Sequence, residues 1–309
     1  NESKWVYYKD GSSFKTKAEQ IFNNVEATDL FEDHVNLSWT PGAEVTHITY
    51  ANANDAENIQ TINLTDEEKA AGKYTLAGLQ PTSTYTITIY KNDVKRGQLQ
   101  VTTPAAMPTA NYKYSLPSDV TVISQDLIDE IAEKAKAAAG NETNYSATIG
   151  IPAGVKVALY GINDSDGGKT NVTIPEGMSV TFFGLAGGEA PTITLDKNFD
   201  IAGSHAFIKF QNVKLEENGG GYFINQSKAC TVNEFTLEDC EVSNLKTSFF
   251  RLQGSDAKSI GKLTLKNSIF TKLCAGYGFI HVDAGSGKGH LDNVEIDGCT
   301  FNSICVTGK

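Results

Sequence analysis

The sequence lacks long apolar runs and an excess of positive charge. No stretch approaches the about eighteen apolar residues of a membrane-spanning helix, so none is predicted. The formal net charge is -11 at pH 7, and Arg96 and Arg251 are the two arginines of the sequence. Like charge repels nucleic acid and anionic membrane surfaces, so neither is expected as a partner. A local cationic patch could still bind an acidic polysaccharide.

Cysteine is scarce and unevenly placed. All five cysteines follow residue 229, and an odd number cannot form a complete set of disulfides. Cys240 and Cys299 are predicted to share one inward position two repeats apart, where a free thiol acts as a small apolar filler. His281 and His290 do not provide the spacing of metal ligands. No metal is predicted.

A repeat occupies the C-terminal third of the chain. Its four copies are Ile208-Lys-Phe-Gln-Asn-Val-Lys-Leu, Phe235-Thr-Leu-Glu-Asp-Cys-Glu-Val, Leu263-Thr-Leu-Lys-Asn-Ser-Ile-Phe and Val294-Glu-Ile-Asp-Gly-Cys-Thr-Phe. Their starts are 27, 28 and 31 residues apart. Alternating apolar and polar residues predict strands with one buried face. The central residues tolerate a left-handed bend: Asn212, Asp239, Asn267 and Gly298.

A shorter run lies between the copies, as Tyr222-Phe-Ile, Phe249-Phe-Arg-Leu and Phe279-Ile-His-Val. Two strands, a sharp bend and a third strand in each period describe one turn of a parallel β-helix. An antiparallel sandwich with coincidental spacing is the alternative. In the β-helix, residues 210, 237, 265 and 296 should form one interior file.

Residues 24–104 contain alternating runs separated by turn residues, which is typical of a β-sandwich. This segment resembles a fibronectin type III module. The matching residues are Leu37-Ser-Trp39-Thr-Pro41 and Leu79-Gln-Pro81-Thr-Ser-Thr-Tyr85. The resemblance implies that Tyr85 is a corner tyrosine whose hydroxyl bonds nearby backbone, and that the module is a spacer. Residues 1–23 are interpreted as a leader, either flexible or docked as a strand on a neighbour.

The stretch 105–119 is predicted to be a linker, because two prolines lie close together at its start. Residues 120–309 are predicted to form the β-helix. Its first element is a helix over 124–139, capped by Ser124 and stopped by Gly140. An open apolar end needs a cover, so this helix is expected to cap the β-helix. A partner chain or a missing segment is expected to cover the other end.

Residues 120–309 look like the pectate-lyase superfamily of right-handed β-helices, because each repeat combines an aromatic strand, a loop and an Asn or Asp bend. With the fibronectin-like module, the layout is similar to secreted or lipid-anchored proteins of gut Bacteroidetes whose β-helix domain has no assigned function. The resemblance implies a secreted or cell-surface protein, and the missing initial Met is consistent with a removed targeting segment. The predicted fold class is all-β, a sandwich followed by a β-helix.

The third strand of each repeat is expected to lie on the face where the superfamily places its substrate groove. An aromatic column beside polar and cationic groups is a sensible sugar-binding surface. Inward positions are predicted for Phe223, Phe250 and Ile280. The predicted substrate-binding residues are Tyr222, Phe249, Phe279, His281, Gln253 and Asp283, with Gln226 in the same outer column as the last two. In the structural alternative, a loop or the N-terminal leader folds over Phe249 and Phe279 and makes them a second core.

Three functions are compatible with this pattern. The favoured one is an extracellular polysaccharide-binding protein without a cofactor, because no complete catalytic constellation is present. The second is a polysaccharide lyase in which, by resemblance, Arg251 is the base and calcium neutralises a uronate carboxylate. Of the acids, only Asp283 shares that face, whereas calcium needs more oxygen ligands. Glu238 and Asp297, separated by Lys266, are interpreted as a solvated ladder. The third function is a structural surface protein.

Overall fold

The computed structural model describes residues 19–26 and 29–306, and also the backbone of two short strands before them. The chain divides into two compact units, Asn1–Ala106 and Met107–Lys309. Most of the predicted leader, including Trp5 and Tyr8, lies outside the described residues.

The first unit contains eight strands and one α-helix among its described residues. They are β1 Val6–Tyr7, β2 Ser13–Phe14, β3 His34–Ser38, β4 His47–Asn52, β5 Gln60–Asn63, α1 Asp66–Ala71, β6 Lys73–Ala77, β7 Thr84–Lys91 and β8 Val94–Thr102. All pairings are antiparallel: β1 with β2, β3 with β6, and a four-stranded sheet in the order β5-β4-β7-β8.

The pair β3–β6 and the four-stranded sheet share one core. Trp39 is almost completely buried there, and Phe22 packs edge-on against it with ring centroids 6.3 Å apart. The backbone N–H of Gln80 donates a hydrogen bond to the hydroxyl of Tyr85 at 2.8 Å. This is the backbone contact expected of Tyr85. The alternating runs of this segment form strands, and Trp39 is the largest of its completely buried side chains.

Helix α1 is not among the elements predicted from the sequence. Its signal is present in the sequence as a capping box. The Thr65 hydroxyl accepts from the Glu68 backbone N–H, and the Glu68 carboxylate accepts from the Thr65 N–H. Gly72 then ends the helix in a left-handed conformation.

The second unit contains one α-helix and 21 strands among its described residues. They are β9 Tyr112–Ser115, β10 Val122–Ile123, α2 Gln125–Ala138, β11 Tyr145–Ile151, β12 Lys156–Leu159, β13 Gly161–Ile162, β14 Lys169–Thr170, β15 Val172–Ile174, β16 Met178–Gly184, β17 Thr192–Leu195, β18 Phe199–Ile201, β19 Gly203–Gln211, β20 Lys214–Glu217, β21 Tyr222–Gln226, β22 Cys230–Glu238, β23 Glu241–Ser243, β24 Ser248–Leu252, β25 Lys258–Lys266, β26 Ile269–Leu273, β27 Ile280–Val282, β28 Gly289–Asp297 and β29 Thr300–Ile304.

These strands form a parallel β-solenoid with three sheets. Sheet 1 has the order β28-β25-β22-β19-β16-β11-β9, sheet 2 the order β10-β12-β17-β20-β23-β26-β29, and sheet 3 the order β15-β18-β21-β24-β27. Strands β13 and β14 form a separate antiparallel hairpin. Each complete solenoid turn contributes one strand to each sheet in sequence order, as the repeat predicts, and the described residues form five such turns. The antiparallel alternative for this region is therefore wrong.

The predicted interior file is confirmed by the register of sheet 1. Phe210 pairs with Leu237, Leu237 with Leu265, and Leu265 with Ile296. The first three side chains are buried, whereas Ile296 lies on the last turn and is half exposed. Like side chains thus stack over one another through successive turns, which is how each turn buries the apolar face of its neighbour.

The bend between sheets 1 and 2 has the predicted left-handed backbone in all four copies. The φ angles are 54° at Asn212, 54° at Asp239, 49° at Asn267 and 62° at Gly298. The backbone N–H of Asn212 donates to the Glu238 carbonyl, and that of Asp239 donates to the Lys266 carbonyl. Asn, Asp and Gly adopt this conformation at low cost, so the sequence at the bend matches its geometry.

Helix α2 lies where the expected helix does. The hydroxyl of Ser124 accepts from the Leu127 backbone N–H at 3.2 Å. The helix follows β10 of sheet 2 and precedes β11 of sheet 1, so it takes the place of a sheet 3 strand. Its Gln125 side chain pairs with the backbone of Thr173 on the edge strand β15, accepting from the N–H at 2.7 Å and donating to the carbonyl at 3.0 Å. The buried side chains are Ile128, Ile131, Ala132 and Ala135.

The stretch predicted to be a linker contains a strand. Strand β9 lies within 105–119 and pairs in parallel with β11, and the carbonyl of Pro108 accepts a hydrogen bond from the Thr148 hydroxyl. The solenoid therefore begins before residue 120, which is the boundary predicted from the sequence. In the part of the chain that the structure describes, no helix has the length and apolarity to cross a membrane.

Candidate functional site

The predicted register of sheet 3 is wrong by one residue at β21. Tyr222 pairs with Ser248, and Ile224 pairs with Phe250. The predicted outer column of aromatic residues requires Tyr222 to pair with Phe249. As a result, the outward file of this sheet contains Asn225, Arg251 and His281, and Ile224 is buried.

The predicted outer column of aromatic rings does not exist, because two of its three members belong to the core. Phe249 is completely buried and stacks on Phe223 at 5.5 Å and on Phe279 at 4.7 Å between ring centroids. It also meets Phe270 of sheet 2 edge-on at 5.3 Å. Phe249 therefore fills the corner between sheets 2 and 3, and Phe279 continues the same stack in the last turn.

The predicted outer column of Gln226, Gln253 and Asp283 is also partly wrong. Gln226 is completely buried. Its side-chain amide donates to the Ile201 carbonyl at 2.8 Å, and its carbonyl oxygen accepts from the Ile201 N–H at 3.0 Å. The side-chain amide of Gln226 thus makes the two hydrogen bonds to Ile201 that the backbone of a neighbouring strand would make. Gln253 is half-buried, and its backbone N–H donates to the Gln226 carbonyl.

A compact polar and aromatic cluster surrounds Arg251 on the outward side of sheet 3. The guanidinium binds Asp283 through two hydrogen bonds, Nε to Oδ1 at 3.1 Å and Nη2 to Oδ2 at 2.5 Å. Its Nη1 donates to the Tyr222 hydroxyl at 3.4 Å, and its central carbon lies 4.1 Å from the ring centroid of Tyr277. His281 Nε2 lies 3.5 Å from Asp283 Oδ2. We call these five residues the Arg251 cluster.

The contacts within the Arg251 cluster favour the charged forms of Arg251 and Asp283. The hydrogen bonds that Arg251 donates to Asp283 are the main reason why the pKa of Arg251 lies above its ordinary value, although burial opposes this shift. The hydrogen bond from Arg251 likewise holds the pKa of Asp283 below its ordinary value. Only 13% of the Arg251 side chain is exposed, compared with 34% for Asp283. A guanidinium held in this way is a poor general base.

Tyr277 is the member of the cluster that sequence reasoning missed. It lies before β27, outside the repeated run, so no alternation marks it. Its ring also approaches the His281 ring at 5.2 Å. A nearby polar atom, Oδ1 of Asn225 in the same outward file as Arg251, is buried without a hydrogen-bond partner. Of the residues selected from the sequence, the structure thus brings together Tyr222, Arg251, His281 and Asp283, and it adds Tyr277.

Glu238, Lys266 and Asp297 form a file of alternating charge on the outer face of sheet 1. Lys266 Nζ lies 2.6 Å from Glu238 Oε1, and Asp297 occupies the next position of the same file. Within residues 19–26 and 29–306, no group of three or more His, Cys, Asp or Glu side chains is arranged to hold a metal ion. All five cysteines are free.

No protein-family model matches the chain, and a search of curated proteins finds no match either.

Proposed function

We propose that the protein binds glycan through the Arg251 cluster, as a secreted or cell-surface molecule. The observation that carries the proposal is the paired Arg251 and Asp283, framed by the rings of Tyr277 and Tyr222 on the outward side of sheet 3. Sugar recognition combines apolar ring faces with fixed, bidentate hydrogen-bonding groups, and the cluster supplies both within one surface.

The charge balance of the cluster favours a neutral glycan. The carboxylate of Asp283 already neutralises the guanidinium of Arg251, so a uronate carboxylate would find no unpaired cation there. Sugar hydroxyls can accept from the Arg251 edge and donate to Asp283 without breaking the ion pair. The lyase alternative is less well supported because its base, Arg251, is held in the protonated state.

The rest of the chain is interpreted as support for this surface. The resemblances to a fibronectin type III module and to a right-handed, pectate-lyase-like β-helix suggest a spacer and a glycan-facing scaffold. Helix α2 replaces a strand at the first turn and pairs with the β15 edge, which supports its role as the cover of that end.

The test is a glycan array followed by calorimetry with the polysaccharides that are retained. Tyr277→Ala and His281→Ala should weaken binding by about tenfold or more. Glu238→Gln, on the outer face of sheet 1, is the matched control and should leave binding unchanged. Failure to retain any glycan would favour the structural protein. Unsaturated uronate products that depend on Arg251 would instead establish the lyase.

A further inference from the structure

Two of the five cysteines lie side by side at the ends of neighbouring strands of sheet 2. Cys274 directly follows β26, and Cys305 directly follows β29. These strands pair in parallel, and their last partners are Leu273 and Ile304. The backbone N–H of Cys305 donates to the Leu273 carbonyl at 2.9 Å, which extends the same register by one residue. Cys274 and Cys305 are therefore direct neighbours on successive turns of the solenoid.

No other two of the five cysteines, all of which the structure describes, are neighbours in this way. Cys230 has Lys258 as its register partner on the next strand. Cys240 and Cys299 lie on opposite sides of Ser268, whose hydroxyl accepts a hydrogen bond from the Cys240 N–H. These three cysteines therefore have no thiol opposite them, and small apolar filling accounts for them.

The separation of the two neighbouring cysteines suits a disulfide. Adjacent strands of a sheet lie about 4.8 Å apart. A disulfide joins Cα atoms that are about 4.4–6.8 Å apart. The thiols of Cys274 and Cys305 also lie within hydrogen-bonding reach of one another. Burial is the main cause that raises the pKa of Cys274 to about 12, and the Cys305 thiol beside it raises it further.

The backbone at both cysteines is left-handed, which is a second observation about the same pair. The φ angles are 68° at Cys274 and 52° at Cys305. This conformation is unfavourable for residues other than Gly, Asn and Asp, which are the types found at the bend between sheets 1 and 2. Stacked cysteines in this conformation indicate a role for their side chains, since the backbone alone would be better served by other residues.

We propose that Cys274 and Cys305 form a disulfide when the protein meets a disulfide oxidant such as oxidised glutathione. The thiolate of Cys305, the partly exposed member of the pair, attacks one sulfur of the oxidant and releases a glutathione thiolate. The thiolate of Cys274 then attacks the Cys305 sulfur and releases the second glutathione. The two protons of the protein thiols pass through water to the released thiolates, so one oxidised glutathione becomes two reduced ones.

The link acts on the segment that leads to the Arg251 cluster. Tyr277 follows Cys274 closely, and in the reduced protein its carbonyl accepts a weak hydrogen bond from the Cys305 thiol at 3.9 Å. The disulfide removes that donor and ties the start of the segment to the neighbouring turn. It does so whether or not the cluster binds glycan, so the inference is independent of the proposed function.

The test starts from the reduced chain, which carries five thiols. The chain is incubated with oxidised and reduced glutathione at about pH 8.5, where thiolates are more abundant. Free thiols are then alkylated with iodoacetamide in urea. Digestion with trypsin and chymotrypsin, which cleaves after Phe301, separates Cys299 from Cys305. Mass spectrometry should find one peptide pair linked through Cys274 and Cys305, and three alkylated cysteines.

Thermal unfolding provides the second measurement. The oxidised chain should unfold several degrees above the reduced chain, because the link restricts the unfolded state. Cys274→Ser and Cys305→Ser should each abolish both the link and the thermal shift. Cys299→Ser, which removes the other partly buried cysteine, is the matched control and should retain both.

Four outcomes would overturn the proposal. Three are alkylation of all five cysteines, a glutathione adduct that persists on Cys305 without the link, and a dominant link to Cys299. The fourth is an oxidised chain that unfolds at the same temperature as the reduced chain or below it, because the disulfide would then not fit the native structure. Oxidation in urea should not select this pair, since unfolding separates the two strands.

Discussion

Arg251 and Asp283 form a two-point ion pair between neighbouring turns of the solenoid, with Nε–Oδ1 and Nη2–Oδ2 distances of 3.1 and 2.5 Å. Asp283 follows β27 at the edge of sheet 3, whereas Arg251 lies within β24. The pair therefore ties β24 to the neighbouring strand β27, which is the terminal strand of sheet 3 among the described residues.

The first prediction concerns the coupling between these two residues. Arg251→Ala should lower the free energy of unfolding of the solenoid by about 1–2 kcal/mol, because it removes the ion pair and the contact with Tyr277. A double-mutant cycle with Asp283→Asn should give a coupling of about 0.5–1.5 kcal/mol. Urea unfolding is followed by far-ultraviolet circular dichroism. A coupling near zero would contradict the arrangement.

An internal control is available for such measurements. Trp39 is almost completely buried in the core of the first unit. The fluorescence change on exposure of this ring should report unfolding of that unit. Substitutions in the solenoid are expected to leave this signal unchanged, which separates a local effect from damage to the whole chain.

The second prediction is a pH dependence with a definite sign. Because Arg251 lowers the pKa of Asp283 in the folded state, the unfolded state takes up this proton first as the pH falls. The contribution of Asp283 is therefore complete above the ordinary Asp pKa of about 3.9 and is lost as the pH falls through its folded value. The stability difference between the wild type and Asp283→Asn should be constant near neutral pH and shrink in acid. A difference that stays constant in acid would contradict this assignment.

The third prediction tests whether Phe249 belongs to the core or to the ligand surface. Phe249→Ala should cost about 3–5 kcal/mol of stability, because the ring is completely buried between Phe223 and Phe279. Phe279→Ala should cost about half as much, since that ring lies in the last turn and is only partly buried. Thermal unfolding of both variants provides the measurement. A stable Phe249→Ala protein with weakened glycan binding would restore the surface interpretation.

The solenoid could be predicted from the sequence, but the inward and outward side chains of sheet 3 could not. In sheet 1, period-two alternation and a fixed bend residue repeat together, so the interior file through Phe210, Leu237 and Leu265 could be predicted. In β24, Phe249 and Phe250 are adjacent and both buried, because one fills a corner and the other faces the interior. Two adjacent apolar residues do not show which of them points inward.

The sequence predicted some members of the candidate site but not all of them. Arg251 was notable as one of two arginines, and Asp283 and His281 shared its predicted face. Tyr277 belongs to no repeated run, and only the path of the chain before β27 brings its ring to Arg251. Such a contact depends on tertiary geometry rather than on a local pattern.

The fourth prediction concerns the left-handed bends. Asn267 has a φ of 49°, a conformation that costs an alanine about 1 kcal/mol and costs glycine little. Asn267→Ala should therefore destabilise the solenoid by about 1 kcal/mol, whereas Asn267→Gly should stay within about half of that. Chemical denaturation of the two variants is the measurement. Equal losses would show that the amide side chain, rather than the backbone conformation, stabilises the bend.

The fifth prediction ranks the reactivity of the five free cysteines. Burial raises the pKa of Cys230 to about 11, and that of Cys240 and Cys274 to about 12, so their thiolates are rare at neutral pH. Cys299 and Cys305 are only partly buried, because they lie in the last turn of the solenoid.

Iodoacetamide should therefore modify Cys299 and Cys305 in the native protein before the other three, and all five should react in urea. Mass spectrometry of peptides after brief labelling gives the order directly. Cys299→Ser/Cys305→Ser is the matched control and should remove the fast phase while leaving the slow one. Early labelling of Cys240, which stacks in the interior and donates weakly to the Phe210 carbonyl, would contradict the packing of sheets 1 and 2 around it.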